Sequence, residues 1–242
     1  VHWKKVEAHE KDPKDPAGLY GTKNLKDELA AEPWDFVTIQ QASIKSHDPE
    51  TYGPFARQLR DLIAKQAPKA EILIHETWAY RSDDPRFNRK SPVAGEPATR
   101  REMYEQLAKA YDATAKELGL RVIPVGDAFD LADRDEKWGY KKDEKFDFAA
   151  ATKPALPDQT HSLHVGWNWN KDGKLAMDGH HANLAGQYLG ACVWLEVLFD
   201  QNPVGNAYVP KGLDADYAKF LQETAHKAVV MRRAKKEAAT PR

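Results

Sequence analysis

The chain reads as an α/β domain built around a parallel sheet, and two observations predict it. Three β-branched apolar runs, Trp34 to Gln40, Glu71 to Trp78 and Leu120 to Val125, punctuate the sequence. Between and after them lie longer segments whose apolar residues recur at helical spacing. Such alternation sets strands side by side with helices over both faces. At 242 residues, 41% hydrophobic and 30% charged, the chain suits a single domain spanning 1–242.

Residues 1–33 are polar and turn-rich, punctuated by Asp12-Pro13, Asp15-Pro16, Gly18 and Gly21. A short helix fits at 23–31, closed by Pro33, before the first buried strand, Trp34 to Gln40. Phe55, Leu59, Leu62 and Ile63 give a helix over 53–66, and Glu71 to Trp78 forms the second strand. A polar loop at 81–98 leads to a long helix over 99–118 carrying Tyr104, Leu107, Tyr111 and Leu118. Gly119 ends it as a glycine just past a helix should. Leu120 to Val125 is the third strand. Residues 130–177, rich in Lys and Asp and holding Trp138, Trp167 and Trp169, lack clear periodicity. They read as a long loop excursion, and such segments are usually functional. An apolar helix follows His181, with Leu184, Tyr188, Leu189, Trp194, Leu195 and Leu198 on its repeat. A last amphipathic helix spans about 213–236, and its basic tail from Met231 reads as a solvated, fraying end.

A formal net charge of -1 gives no electrostatic case for nucleic acid or an anionic membrane as partner. No apolar run approaches the ~20 residues of a membrane span. The single cysteine, Cys192, excludes an internal disulfide and a multi-cysteine metal site; within the apolar helix it is a small buried hydrophobe. The sequence begins at Val1 without Met and shows no signal peptide, so the gene product is expected to be longer. Its compartment is left open, with a periplasmic or secreted bacterial setting considered.

In parallel sheets the working residues lie just past the carboxyl ends of the strands. Gln40 to Ser43, His75 to Tyr80 and Gly126-Asp127 therefore fall on one rim, which the Asp178–His181 turn can join. That turn sets an Asp at the expected entry of the apolar helix, where its carboxylate would cap free N–H groups, and a His three residues on. An Asp that orients an imidazole leaves the other ring nitrogen free as a general base. A plain N-cap beside a surface histidine fits the spacing equally well. His180 is the rival base, but two residues from Asp178 is a poorer helical geometry, so His181 is preferred. Ala185 and Gly186 would let the helix approach the sheet closely.

Gln40-Gln41-Ala42-Ser43 offers side-chain donors for a developing oxyanion, or simply a polar strand end. Ser43 is a candidate nucleophile without the G-x-S-x-G setting of a nucleophile elbow. His75 and Trp78 are read as substrate-lining, His75 equally as a core-edge histidine, with Trp78 and Tyr80 a stacking floor for a sugar or acyl group. His161, His164, His180 and His181 with Asp178 supply ligands enough for zinc. Their spacing matches no standard zinc signature and H-E-x-x-H is absent, so no metal or other cofactor is assigned. Trp167-Asn168-Trp169 is either a carbohydrate-stacking ledge or a packed loop.

Taken together these residues resemble the SGNH (GDSL-like) hydrolase superfamily. The resemblance rests on Asp178 and His181 as D-x-x-H, and on Trp34-Asp35-Phe36-Val37-Thr38-Ile39-Gln40-Gln41-Ala42-Ser43. The latter looks like a bacterial branch in which W-D-x-V-x-x-Q-x-x-S stands where other members carry G-x-N-D. Glu76 to Tyr80 and Gly186 to Leu189 extend the likeness, which covers about residues 34 to 230.

The resemblance implies a flavodoxin-like three-layer α/β/α fold and a serine esterase or deacetylase mechanism without a cofactor. His181 would take the proton from a serine hydroxyl, Asp178 would orient its imidazole, and Gln40 would stand near the family's Asn oxyanion donor. The substrates implied are small esters or acylated carbohydrates. The family's amino-terminal G-x-S block has no counterpart here. None of Ser43, Ser46, Ser82, Ser91 and Ser162 follows an apolar strand in such a block, and His2-Trp3 looks like a segment that comes after it. Either the first strand, the serine and a glycine of the second block are missing from an incomplete chain, or the chain is a diverged member. The first reading is preferred, because losing a central strand would expose two flanking edges. Two further readings stand beside it: a non-catalytic carbohydrate-binding protein using Trp78, Trp138, Trp167 and Trp169, and a metal-dependent hydrolase using the histidine group.

Overall fold

The computed structural model describes residues 2–89 and 93–238; Val1 and Ser91 lie outside them. Its elements run α1 (His2–Lys11), β1 (Leu19–Tyr20), β2 (Lys23–Asn24), α2 (Leu25–Ala30), β3 (Phe36–Ile39), α3 (Phe55–Gln66), β4 (Glu71–His75), α4 (Arg100–Leu118), β5 (Arg121–Ile123), α5 (Val125–Asp133), β6 (His164–Trp169), β7 (Leu175–Ala182), α6 (Leu184–Phe199) and α7 (Ala215–Ala238). The main sheet is parallel in the order β3-β4-β5.

Alternation along β4 builds the layers. Side chains of successive strand residues point to opposite faces. Leu73 joins a core with Ile123 and with Phe129 of α5, Leu189 and Val193 of α6 and Leu221 of α7. Ile74 turns to the other face and packs with Met103, Leu107 and Tyr111 of α4. On that same face Ile72, with Val37 and Ile39 of β3, meets Leu62 and Ile63 of α3, Val6 of α1 and Leu29 of α2. The fold is thus a mixed α/β arrangement of three layers, with helices on both sides of the sheet.

Local chemistry places the ends. Thr99 accepts from the N–H of Glu102 to cap α4, and Gly119 closes that helix in the left-handed region at φ 68°. Asn24 caps α2 in the same way.

Four expectations need correction. His2–Lys11 is helical although only Val6 of it is buried. Residues 125–133 form a helix directly after β5, where the apolar run looked like the end of a strand. Residues 164–182, taken in large part as loop, fold into the antiparallel β6–β7 hairpin. The tail beyond Met231 stays helical to Ala238, and Arg232 within it is largely buried among carboxylates. Cys192 is buried, and burial pushes its thiol up to about 11. Among the described residues no helix is long and apolar enough to cross a membrane.

Candidate active site

Asp178 is not a helix cap: it lies within β7, and Asn183 caps α6 by accepting from the N–H of Gly186. Asp178 and His181 nevertheless meet, through a bulge. Gly166 pairs with Asp178 and His164 with Ala182, so Gly179, His180 and His181 all stand opposite Val165 alone. In a regular strand residues i and i+3 point to opposite faces; the bulge removes that obstacle. The N–H groups of His181 and His180 donate to Asp178 Oδ1 at 3.0 and 3.3 Å. Asp178 Oδ2 then stands 2.9 Å from Nδ1 of His181.

This geometry sets the charge on the pair. Partial burial alone would raise the Asp178 carboxyl; the N–H and ring of His181, the N–H of His180 and the nearby His180 ring outweigh it, and the carboxyl lies below its ordinary value. An ionised carboxylate at Nδ1 selects the tautomer with the proton on Nδ1, leaving Nε2 as an acceptor. The His181 side chain is 71% exposed, and among the described residues no group hydrogen-bonds its Nε2. His180 has a looser contact, its Nδ1 3.4 Å from Asp178 Oδ1. Its ring lies against Tyr80, and its carbonyl accepts from the Trp78 indole at 2.9 Å.

The carboxyl ends of β3 and β4 reach the same rim. Ser43 Oγ is 3.1 Å from the Tyr80 hydroxyl, and the Tyr80 ring is 5.4 Å from that of His180. Gln40 is exposed, and among the described residues its amide is not engaged. Gln41, by contrast, donates its amide to Thr51 and so braces the loop. The remaining described serines differ: Ser46 donates to the Ser43 carbonyl, Ser162 is held between Arg81 and His164, and Ser82 is exposed.

His75 and Trp78 sit behind this rim. Nδ1 of His75 accepts from the Trp194 indole at 3.0 Å, and burial lowers its pKa to about 4, so the ring is neutral. Trp78 stacks on Phe129 with ring centroids 4.6 Å apart. Trp138 likewise stacks on Tyr217 and Phe220 within the core, while Trp167 and Trp169 lie on β6 and direct their N–H groups to Asp83 and the Ala155 carbonyl. The four tryptophans therefore do not form one stacking surface. The histidine group also divides. His164 is buried against the Ala79 carbonyl and His161 packs on Trp138 and Tyr217, leaving only Asp178, His180 and His181 with ligand atoms within 4.8 Å of one another.

Two supports carry no periodic signal in the sequence. Arg81, almost wholly buried, makes a bidentate pair with Asp83, bonds Gln159 and Ser162, and through its N–H holds the carbonyl of Gly179 in the bulge. Glu76 is fully buried; it accepts from the N–H of Asp127 and pairs with Arg232. A cavity of about 530 Å³ lies elsewhere, lined by His47, Asp48, Glu50, Glu96, Gln106 and Lys109 among others, and neither Asp178, His181 nor Ser43 lines it.

No family model and no curated protein matches the chain. Among solved structures, a DUF4886 family protein from Bacteroides uniformis ATCC 8492 is similar, at 24% identity over 86% of this chain and 67% of that one, with a TM-score of 0.63. That likeness shows a shared fold. A "putative SGNH hydrolase" from Slackia heliotrinireducens is 24% identical over 78% of this chain and 77% of its own, with a TM-score of 0.45.

Proposed function

We propose that the chain is a serine-type ester hydrolase of the SGNH kind, with Asp178 as orienter and His181 as general base. One observation carries the reading: a carboxylate 2.9 Å from Nδ1 of an imidazole that is 71% exposed and whose Nε2 no described group hydrogen-bonds. In that arrangement Nε2 takes the proton of an attacking hydroxyl as its oxygen bonds to the ester carbonyl carbon. Asp178 stabilises the imidazolium so formed, and the imidazolium returns the proton to the departing alcohol. Water then hydrolyses the acyl-enzyme by the same proton route. Gln40, exposed just past β3 with an amide unengaged among the described residues, is the proposed oxyanion donor. Among the described residues no serine hydroxyl meets Nε2 of His181; Ser43 is the serine at the end of β3, its hydroxyl turned to Tyr80.

An exposed pair away from the cavity of about 530 Å³ suits an acyl group presented on a larger molecule, and acetyl groups on a carbohydrate are the substrate class we favour. Hydrolysis of p-nitrophenyl acetate by the intact protein and by His181→Ala tests the assignment. The variant should lose about 100-fold or more in kcat/KM, and equal rates above background would overturn it. Ser43→Ala, run alongside, reports whether Ser43 supplies the hydroxyl.

A further inference from the structure

We infer that Asp178, His180 and His181 form a binding site for a divalent transition-metal ion such as zinc, and that the ion silences the His181 base. Metal uptake stands on geometry alone, while the loss of turnover rests on the hydrolase reading above. Nδ1 of His181 is 2.9 Å from one carboxylate oxygen of Asp178, and Nδ1 of His180 is 3.4 Å from the other. Donors bound ~2.1 Å from one zinc ion stand roughly 3.0–3.4 Å apart on neighbouring vertices. The bulge therefore gathers one ligand atom from each of the three residues within 4.8 Å of the others, and modest side-chain rotation closes them onto a common ion. Two imidazoles and a carboxylate suit zinc-like ions, whereas calcium and magnesium require oxygen donors.

The surroundings also favour uptake. Both imidazoles are accessible, 41% and 71% exposed, so an ion can enter and water can complete its shell. The carboxylate is fixed by two backbone N–H groups, and the His180 carbonyl is held by Trp78. Such outer contacts reduce the ordering that binding must impose.

Coordination and base catalysis exclude each other at the same ring. A neutral imidazole carries one N–H. With Nδ1–H donating to Asp178, the Nε2 lone pair is free to accept a proton. A metal ion on Nδ1 takes the lone pair there, so the single ring proton resides on Nε2. The ring gains and loses no proton overall, but it no longer has an acceptor to offer.

The test titrates intact protein with zinc chloride by calorimetry and follows p-nitrophenyl acetate hydrolysis in the same buffer. One zinc ion per chain should bind, and His180→Ala and Asp178→Ala should each weaken it at least about tenfold. His226→Ala, which touches a different carboxylate, should leave affinity unchanged, and the melting temperature of each variant checks its fold. Zinc should suppress hydrolysis and a chelator should restore it. Absence of uptake, or uptake indifferent to His180→Ala, overturns the site; uptake without inhibition overturns the regulatory half. A protein that binds zinc but hydrolyses no ester leaves the site standing and defeats the hydrolase reading instead.

Discussion

Asp178 lies opposite Gly166 across the β6–β7 ladder, and from there to the next pair β7 takes four steps where β6 takes two. The surplus is the bulge that turns His181 back onto the carboxylate. A contact that looked helical from its spacing is made by an irregular strand. The hairpin carrying it is fastened to the loop after β4 by the bond from the Arg81 N–H to the Gly179 carbonyl, so the pair is positioned relative to the rim.

Asp178→Asn separates holding the bulge from orienting the base. The amide oxygen can still accept from the N–H groups of His180 and His181, so the fold should survive with a melting temperature close to that of the parent. The amide carries no charge to stabilise an imidazolium, and its NH₂ favours the wrong tautomer. Ester hydrolysis should fall by about 100-fold or more at saturating substrate. Retained turnover with an intact fold would remove Asp178 from the mechanism.

Gly166→Ala should cost stability on the order of 2–4 kcal/mol. Gly166 sits at φ +74°, and a Cβ there would strike Gln159 Oε1 and the guanidinium of the buried Arg81. Arg81 is held by a bidentate pair and has no free direction in which to yield. Urea unfolding measures the loss, and a variant as stable as the parent would show that the hairpin base is looser than its contacts suggest.

The same residues mark what the sequence could convey. β3, β4, β5, α3, α4, α6 and α7 declare themselves through apolar spacing, and Gly119 through its place after a periodic run. The α1 helix does not, because burying Val6 alone leaves no apolar stripe. The hairpin does not, because its strands bury little in alternation and β7 is bulged where the motif sits. Asp178 and His181 were legible as a pair since their separation is short in any backbone that folds back. The identity of the cap was not, because Asp178 and Asn183 are both good N-cap types and only the structure shows where the helix begins.

Acid should unfold the protein through His75 and His164. Burial lowers both to about 4, whereas the unfolded chain protonates near an ordinary value of about 6.5. Between those limits the unfolded state binds more protons, so stability is full above pH ~6.5 and is lost as pH falls toward 4. Each histidine contributes up to about 3 kcal/mol to that loss. Glu76, whose carboxyl burial raises well above its ordinary value, works in the opposite sense. The histidine part is therefore read from a difference between proteins. His75→Asn keeps an acceptor for Trp194 and should roughly halve the histidine contribution between pH 7.5 and 5. An unchanged pH dependence in that variant would contradict a neutral, buried His75.

Arg232 should prove more important to folding than its place in a basic tail suggests. Its guanidinium reaches Glu76 at the end of β4, Asp112 on α4 and Asp127 on α5. Burial alone would lower its pKa, but those three carboxylates raise it instead, so the cation is strongly held. Arg232→Met keeps much of the apolar stem and removes the charge, leaving Glu76 and Asp127 facing each other with little compensation. Breaking one partner out of a buried ionic cluster costs about 3–5 kcal/mol, and the midpoint of urea unfolding should drop accordingly. Adding Glu76→Gln to that variant replaces the fully buried carboxyl with a neutral amide and should recover part of the loss. Were the single variant as stable as the parent, or the double variant no better than the single, the network would be a surface feature and the end of α7 would not be anchored through it.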